Sequence, residues 1–237
     1  MKIAMWSGPR NLSTAMMYAF GNRPDCSVVD EPLYAAYLTA TGIEHPMREE
    51  ILASQPADPA EVIRQITGSN PAGKPHFYQK HMAQHMVDGV DRGWLTDVTN
   101  VFLIRHPARV VASYAAKREA PSFDDIGFWQ QTELYDEITA RGGRPVVIDS
   151  HDIRENPEAM LRKLCDAIGL PFDPAMLHWP AGGHADDGVW AAHWYGAVHR
   201  STGFAGAEGP LPELDGAYTE IVDQAMPHYK TLQALAL

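Results

Sequence analysis

One stretch constrains the fold more than any other: the first fourteen residues have the pattern of a strand that turns abruptly into a helix. Residues 1–6 are almost continuously apolar, a Gly-Pro turn follows, and apolar side chains return at Leu12, Met16 and Phe20 with helical spacing. Asn11 is the predicted N-cap of this helix, because its side chain is a good acceptor for free backbone N–H groups. A strand that leads through a tight loop into a helix indicates an α/β fold.

The loop between this strand and helix has the properties of an anion site. The first N–H groups of a helix lack partners within it and, together with the macrodipole, favour negative charge. Arg10 adds a cation, and Ser13 and Thr14 add hydroxyl donors. The loop matches neither Gly-x-x-x-x-Gly-Lys-Ser/Thr nor Gly-x-Gly-x-x-Gly, so it is a phosphate-type loop of neither common kind, with an ordinary capped turn as the alternative. The candidate residues are Gly8, Pro9, Arg10, Asn11, Leu12, Ser13 and Thr14.

Four further strands are predicted, and helices separate them. The predicted strands are residues 26–30, 76–82, 101–105 and 145–149. The predicted helices are residues 33–38, 45–68 and 124–141, one after His106-Pro107, one opened by Asn156 and Pro157, and one over 218–235 that Pro227 should kink or divide. Residues 170–209 lack periodicity, and such irregular stretches are often functional. Strands that alternate with helices form a parallel sheet, so the chain is predicted to be one domain, residues 1–237.

Polar side chains gather where the predicted strands end. Arg10, Glu31, Lys80, His81 and Arg105 each follow or close a strand. In open α/β sheets, ligands bind outside the carboxyl ends of the strands. The sequence therefore predicts a single site for an anionic ligand at this edge.

Composition narrows the class of ligand. The formal net charge of −11 argues against nucleic-acid or anionic-membrane binding, so an anion site must concentrate the few cations locally. The two cysteines, Cys26 and Cys165, are expected to be buried and reduced, which suits a cytoplasmic protein. No signal-peptide pattern or membrane-spanning apolar run is found in the sequence.

A second cation cluster follows the fourth predicted strand. Arg105 ends the strand, and Arg109 and Ser113 lie four residues apart on one face of the next helix. Arginine forks and a hydroxyl near a helix start make a phosphate-sized site. For Arg109, an ordinary surface arginine is the favoured interpretation.

With these two motifs in place, the sequence resembles the sulfotransferases that use 3′-phosphoadenosine 5′-phosphosulfate (PAPS). Residues 8–14 resemble the family's 5′-phosphosulfate loop, and residues 105–113 resemble its 3′-phosphate motif. A third, weaker likeness is His199-Arg200-Ser201-Thr-Gly-Phe, which resembles the basic loop that covers the nucleotide. The resemblance implies a three-layer α/β/α fold with a central, mostly parallel sheet of about five strands, of the P-loop nucleotide hydrolase-like type.

The resemblance also implies roles. Arg10 and the N–H groups near Ser13 and Thr14 would hold the phosphosulfate, Arg105 and Ser113 the 3′-phosphate, and Arg200 and Ser201 the nucleotide from above. Lys80 would neutralise the leaving oxygen, without an obligatory metal. Glu31 and His81 compete as the base that takes the acceptor's proton, with a slight preference for Glu31.

Two other functions stay open: a P-loop-type kinase using Mg-ATP, and a non-catalytic protein that binds 3′-phosphoadenosine nucleotides. His81 and His85 stand four residues apart without a suitable third ligand, so no metal site is expected. The expected partner is a small-molecule acceptor with a hydroxyl or amine; no nucleic-acid or membrane partner is expected, and the oligomeric state is not indicated. The aromatic residues of 179–195 are more often core, but at the site they would favour a ring-bearing acceptor.

Overall fold

The computed structural model describes residues 1–116 and 121–237 and has a five-stranded parallel sheet at its centre. The strand order is β2-β3-β1-β4-β5, and every neighbouring pair is parallel. This confirms the predicted α/β fold class, with each strand within about two residues of its predicted bounds. The strands are β1 Lys2–Ser7, β2 Cys26–Asp30, β3 His76–Met82, β4 Thr99–Ile104 and β5 Val146–Asp149.

Helices connect the strands and cover both faces of the sheet. In chain order they are α1 Ser13–Gly21, α2 Tyr34–Thr41, α3 Arg48–Ser54, α4 Pro59–Thr67, α5 Pro107–Ala115, α6 Phe128–Ala140, α7 Ser150–Glu155, α8 Pro157–Ile168, α9 Ala191–Trp194 and α10 Ala217–Gln233. Short 3₁₀ turns lie between some of these elements, as at Ala83–His85 and Asp124–Ile126.

The alternation of side chains along β1 produces two separate cores. Ile3 and Met5 pack into one core with side chains of α1 and α8. Ala4 and Trp6 point to the opposite face and pack with side chains of α5, α6 and α10. Because successive strand residues face opposite sides, a strand that is buried throughout must be covered twice. This arrangement gives the expected three layers.

Two helix predictions need correction. Residues 45–68 do not form one helix, because α3 ends at Ser54 and α4 begins only at Pro59. Asp58 caps α4 by accepting a hydrogen bond from the Ala60 N–H, and Pro59 fixes the first helical turn. The predicted helix 124–141 begins later, because Gly127, with a φ of 74°, separates the 3₁₀ turn Asp124–Ile126 from α6. Pro227 does not divide α10, which is a single helical element.

The predicted irregular segment, residues 170–209, contains only short helical turns: Pro174–Leu177, the four-residue α9, and Val198–Arg200. Part of it, residues 190–205, supplies one wall of the cleft described below. Both cysteines are free and buried, as expected. Among the described residues, no helix is both long enough and apolar enough to cross a bilayer.

Candidate active site

A cleft of about 560 Å³ lies at the carboxyl edge of the sheet. The structure brings most of the predicted site residues to it; those lining its wall are Pro9, Arg10, Asn11, Leu12, Ser13, Thr14, Glu31, Lys80, Arg105, Ser113, Arg200 and Ser201. Gly8 and His81 are predicted site residues that the cleft does not include. Its wall therefore combines both predicted anion motifs with the carboxylate that follows β2 and the lysine near the end of β3.

The loop after β1 reaches the cleft through an unusual backbone. Arg10 and Leu12 both have positive φ, 59° and 62°, a region that side chains other than glycine seldom adopt. The prediction of Asn11 as the N-cap is wrong, because Leu12 occupies that position without a side-chain cap. Asn11 instead is buried and donates from Nδ2 to the carbonyl oxygen of Leu103 in β4, at 2.7 Å. Its amide therefore ties the loop to the neighbouring strand.

Gly8 contributes through its lack of a side chain. A Cβ at Gly8 would lie 2.2 Å from the carbonyl oxygen of Ile126, so a larger residue would push the two backbones apart. The glycine thus allows the turn before α6 to pack directly on the loop. Gly8 therefore lies against the backbone of Ile126 and does not line the cleft.

The two predicted anion motifs contact one another directly. Arg10 Nε donates to Ser113 Oγ at 2.9 Å, and Arg105 donates to the main-chain oxygen of Arg10 at 2.5 Å. The first bond joins the loop after β1 to α5, and the second joins it to the end of β4. The motifs are separated by more than ninety residues of sequence, yet they form one cationic end of the cleft.

Arg105 and Arg109 of the predicted second cation cluster are joined in the structure by Arg154, which the sequence analysis did not predict. Arg105, Arg109 and Arg154 all form ion pairs with Glu208, whose side chain is only 3% exposed. Arg109 is therefore not the ordinary surface arginine that was favoured. Glu208 and Arg154 carried no sequence signal, because their pairing depends on the path of an irregular segment.

A buried network of charges surrounds Lys80. Its ammonium donates to Asp30 Oδ1 at 2.8 Å, to Glu31 Oε1 at 2.5 Å and to the Tyr195 hydroxyl at 2.5 Å. The Tyr195 hydroxyl accepts a further bond from Trp190 Nε1 and donates to Asp30. Lys80 faces Asp30 because the two are register partners across β3 and β2.

The network favours the charged form of Lys80 and the neutral form of Tyr195. Burial alone would lower the pKa of Lys80, but the carboxylates of Asp30 and Glu31 outweigh it and raise that pKa. Burial, with the same two carboxylates, raises the pKa of Tyr195 well above its usual value. All three ammonium donors are engaged, so the geometry favours Lys80 as the holder of Glu31 over its predicted role at a leaving oxygen.

Glu31 combines burial with a strained backbone. It is 7% exposed, lines the cleft and has a φ of 37°. Its main-chain oxygen accepts from Gln55 Nε2 at 3.1 Å, and its N–H donates to the main-chain oxygen of Lys80 at 2.9 Å. Strained residues that their surroundings hold in place cluster at functional sites.

His81 lies away from the cleft. It is 1% exposed, its ring stacks on Trp6 at a centroid distance of 4.5 Å, and Nε2 is 3.1 Å from Gln79 Oε1. Burial lowers the pKa of His81 to about 3. Strand alternation accounts for this position: Lys80 reaches the network, so the next residue points to the opposite face and meets its register partner Trp6.

The other end of the cleft is aromatic. His85 stacks between Tyr34 and Tyr37 at 4.6 and 4.7 Å, and Tyr34 also meets the edge of Trp190. His85 is 3% exposed, burial lowers its pKa well below the usual range, and its Nδ1 has no hydrogen-bond partner among residues 1–116 and 121–237. The side chains that complete this aromatic end are His45, Trp194, Ile43 and Val198.

The third predicted motif closes the cleft from the irregular segment. Ser201 Oγ accepts from Trp179 Nε1 at 3.1 Å and donates to the carbonyl oxygen of Val198 at 2.7 Å, so the serine mainly shapes the turn. Arg200 is exposed at the rim. Tyr195, from the same segment, was predicted only as part of an aromatic stretch, and its hydroxyl proves to be the hub of the Lys80 network.

Comparison with known proteins points to one family. The sequence model of the sulfotransferase domain matches residues 1–236. The chain is 34% identical over 231 residues to branched-chain-amino-acid aminotransferase-like protein 2 of Arabidopsis thaliana. That match includes 98% of this chain but only 41% of the plant protein, so the plant protein's name describes a much longer chain.

Two solved sulfotransferase structures have a similar fold. The sulfotransferase from Alicyclobacillus acidocaldarius matches 98% of this chain and 94% of its own, with a TM-score of 0.56 and 13% identity. The sulfotransferase domain from the curacin biosynthetic pathway matches 94% and 96%, with a TM-score of 0.54 and 15% identity. At such low identity these likenesses concern the fold alone.

Proposed function

The chain belongs to the sulfotransferase domain family, and we propose that it transfers a sulfuryl group from PAPS to a hydroxyl or amine of a small molecule. The observation that carries the proposal is the direct contact between the two anion motifs, through the Arg10–Ser113 and Arg105–Arg10 hydrogen bonds. A donor with phosphate groups at both its 5′ and 3′ ends needs two cationic subsites in one cleft. The fused motifs supply both.

The residues of this chain divide the work of binding the donor. The first N–H groups of α1 have no helical partners and lie beside Ser13 and Thr14 on the cleft wall, where they suit the 5′ end. Arg105 and Ser113 suit the 3′-phosphate. Arg10, which is bonded to Ser113 from the loop, is the proposed cation that stabilises the charge that develops during the transfer.

Glu31 is the proposed base. When bound, PAPS supplies an activated sulfuryl group, whose bond to the bisphosphate breaks as the acceptor oxygen or nitrogen bonds to sulfur. The acceptor's proton then passes to the Glu31 carboxylate, whose Oε1 Lys80 holds at 2.5 Å. A positioned carboxylate of this kind contributes a factor of about 10²–10⁴ to rate. The position of His81, outside the cleft, argues against its predicted role as base.

The aromatic end is the proposed acceptor site. Its walls of tyrosine, tryptophan and histidine suit a flat, ring-bearing molecule. This end lies next to Glu31 in the chain, because α2 begins three residues after it. The proposed acceptor is therefore a small ring-bearing hydroxyl or amine.

The carboxylates count against the kinase alternative. Asp30 and Asp149 are the acids that a kinase would offer to Mg²⁺ at strand ends. Asp30 is bonded to Lys80, Tyr195 and the Gly188 N–H, and Asp149 caps α7 and accepts from the Tyr229 hydroxyl. Both carboxylates are thus engaged in hydrogen bonds within the protein, which disfavours a role as Mg²⁺ ligands.

Ligand-induced stabilisation tests the proposal. Adenosine 3′,5′-bisphosphate at a hundred times its dissociation constant should stabilise the protein by about 2.7 kcal/mol, which is roughly 5–10 °C in a chain of this size. We expect this shift without Mg²⁺, a smaller shift with AMP, and transfer of labelled sulfate from PAPS to a member of a phenol and arylamine panel.

The three candidate functions give different results. A shift only with Mg-ATP would overturn the proposal in favour of the kinase. A bisphosphate shift without turnover across the panel would favour the non-catalytic nucleotide-binding protein.

A further inference from the structure

Residues 206–209, which we call the acidic strap, place a carboxylate against Arg105 at the cationic end of the cleft. Glu208 points into the cluster formed by Arg105 at the end of β4, Arg109 in α5 and Arg154 in α7. The Arg109 Nε lies 3.0 Å from Oε2, and Arg154 lies 2.6 Å from Oε1. The carboxylate therefore sits against Arg105, the residue assigned above to the 3′-phosphate.

The arginines also hold the backbone on both sides of Glu208. Arg154 Nε donates to the main-chain oxygen of Gly206 at 2.9 Å, and Arg109 donates to the main-chain oxygen of Gly209. Neither glycine is packed, since a Cβ added at either would meet nothing within 4 Å. Polar contacts to three arginines thus dominate the attachment of the strap.

The ends of the strap are better anchored than its middle. On one side, Phe204 packs edge-on against Trp179 at 5.1 Å. On the other side, Leu214 packs against the core beside α10. Segments with few apolar contacts between firm anchors open at low free-energy cost. Release of the strap from the arginines would therefore leave the packing of these two anchors intact.

Charge favours an exchange of anions at this cluster. Three guanidinium groups face a single carboxylate, so the cluster keeps an excess of about two positive charges. A phosphate monoester carries about −1.5 to −2 and has three acceptor oxygens, against one charge and two oxygens for a carboxylate. Burial alone would raise the pKa of Glu208, but the arginines outweigh it and lower that pKa, so the carboxylate is ionised at neutral pH.

We infer that Glu208 is an internal stand-in for the donor's 3′-phosphate, and that the acidic strap leaves the arginine cluster when that phosphate binds. The inference rests on the proposed function and adds Arg109 and Arg154 to the phosphate subsite. Binding then selects the open form, and the apparent affinity is reduced by the fraction of molecules that are open. The strap thereby sets the affinity for ligands with a 3′-phosphate and does not affect those without it.

The test compares Glu208→Gln with the wild type by calorimetric titration of adenosine 3′,5′-bisphosphate and of AMP. Glu208→Gln should bind the bisphosphate about tenfold more tightly, with AMP binding unchanged. Glu213→Gln is the matched control, since Glu213 is an exposed carboxylate a few residues further on. It removes the same charge and should change neither affinity.

Hydrogen exchange on the wild type supplies a readout that needs no variant. Saturation with the bisphosphate should speed amide exchange at 206–209 and slow it in the loop at 9–15. Slower exchange at 206–209 would overturn the inference, as would equal or weaker bisphosphate binding by Glu208→Gln; in both cases the proposed function would stand. Tighter binding of AMP to the same degree would also overturn it, because the strap would then block the whole cleft. If the bisphosphate bound neither protein, the proposed function itself would fail, and the inference with it.

Discussion

The charged side chains of the Lys80 network differ in how far each is exposed to the cleft. Glu31 and Lys80 both line the cleft, but Lys80 is only 1% exposed, and Asp30, which does not line it, is 3% exposed. Because Lys80 faces two carboxylates, the loss of one negative charge still leaves the ammonium paired. This asymmetry allows the role of Glu31 to be tested without removing the buried ion pair.

Glu31→Gln should abolish most turnover while leaving donor binding intact. The amide keeps the shape of the side chain but accepts no proton, so kcat should fall by about 10²–10⁴. The dissociation constant of adenosine 3′,5′-bisphosphate should stay within about threefold, because the phosphate-binding residues are untouched. His81→Phe is the comparison variant, with turnover near that of the wild type. A larger loss in His81→Phe than in Glu31→Gln would reverse the assignment of the base.

His81 should instead affect how the free energy of unfolding depends on pH. Its pKa is about 3 in the folded protein and about 6.5 when unfolded, so the unfolded chain binds the extra proton between these values. The contribution of the neutral His81 to the unfolding free energy is therefore complete above pH 6.5 and decreases as the pH falls from 6.5 towards 3. One proton corresponds to about 1.4 kcal/mol per pH unit.

His81→Phe should therefore flatten the fall in unfolding free energy between pH 6 and 4.5, measured by urea denaturation. The phenyl ring preserves the stack on Trp6 but cannot titrate. The other buried histidine, His85, remains and keeps part of the slope. An unchanged slope would mean that His81 already carries its proton in the folded state.

Strands and helices with strong local signals were predictable, whereas the segments that complete the site were not. The strands were found because apolar runs end at polar residues, and Lys80 was placed correctly by its strand. Tyr195 and Glu208 lie in an irregular segment, where no period relates neighbours in sequence to neighbours in space. Their partners, Asp30 and Arg105, are more than a hundred residues away, so only the folded chain reveals them.

The continuity of α10 leads to a prediction about Pro227. An interior proline lacks an N–H for the helix ladder and crowds the preceding turn, yet the helix continues because Ala225, Tyr229 and Leu232 bury one face. Pro227 itself is exposed. Pro227→Ala should therefore raise the unfolding free energy by about 1–3 kcal/mol, measured by urea denaturation, with bisphosphate affinity unchanged. A loss of stability would show that the proline's restriction of the unfolded chain dominates.

The sheet as a whole sets the spacing between the two ends of the cleft. Arg105 follows β4, and the aromatic end is built around α2, which follows β2. The order β2-β3-β1-β4 leaves two strands between them, or about 14 Å at the usual strand spacing. Sites this far apart, without shared partners, act additively. Donor and acceptor binding should therefore respond to separate substitutions.

Arg105→Ala and Trp194→Ala test this independence. Arg105→Ala removes a charged hydrogen-bond donor, whose contribution to binding is about 1.5–3 kcal/mol. It should weaken bisphosphate binding by roughly tenfold or more and leave the acceptor KM within about twofold. Trp194→Ala removes apolar contact worth about 1.5 kcal/mol and should raise the acceptor KM roughly tenfold at unchanged bisphosphate affinity. Arg144→Ala, which removes an exposed arginine outside the cleft, controls for charge. In the double variant, the factors by which the two single substitutions lower kcat/KM should multiply. A decrease well below that product would mean that donor and acceptor share one subsite, against the division that the strand order implies.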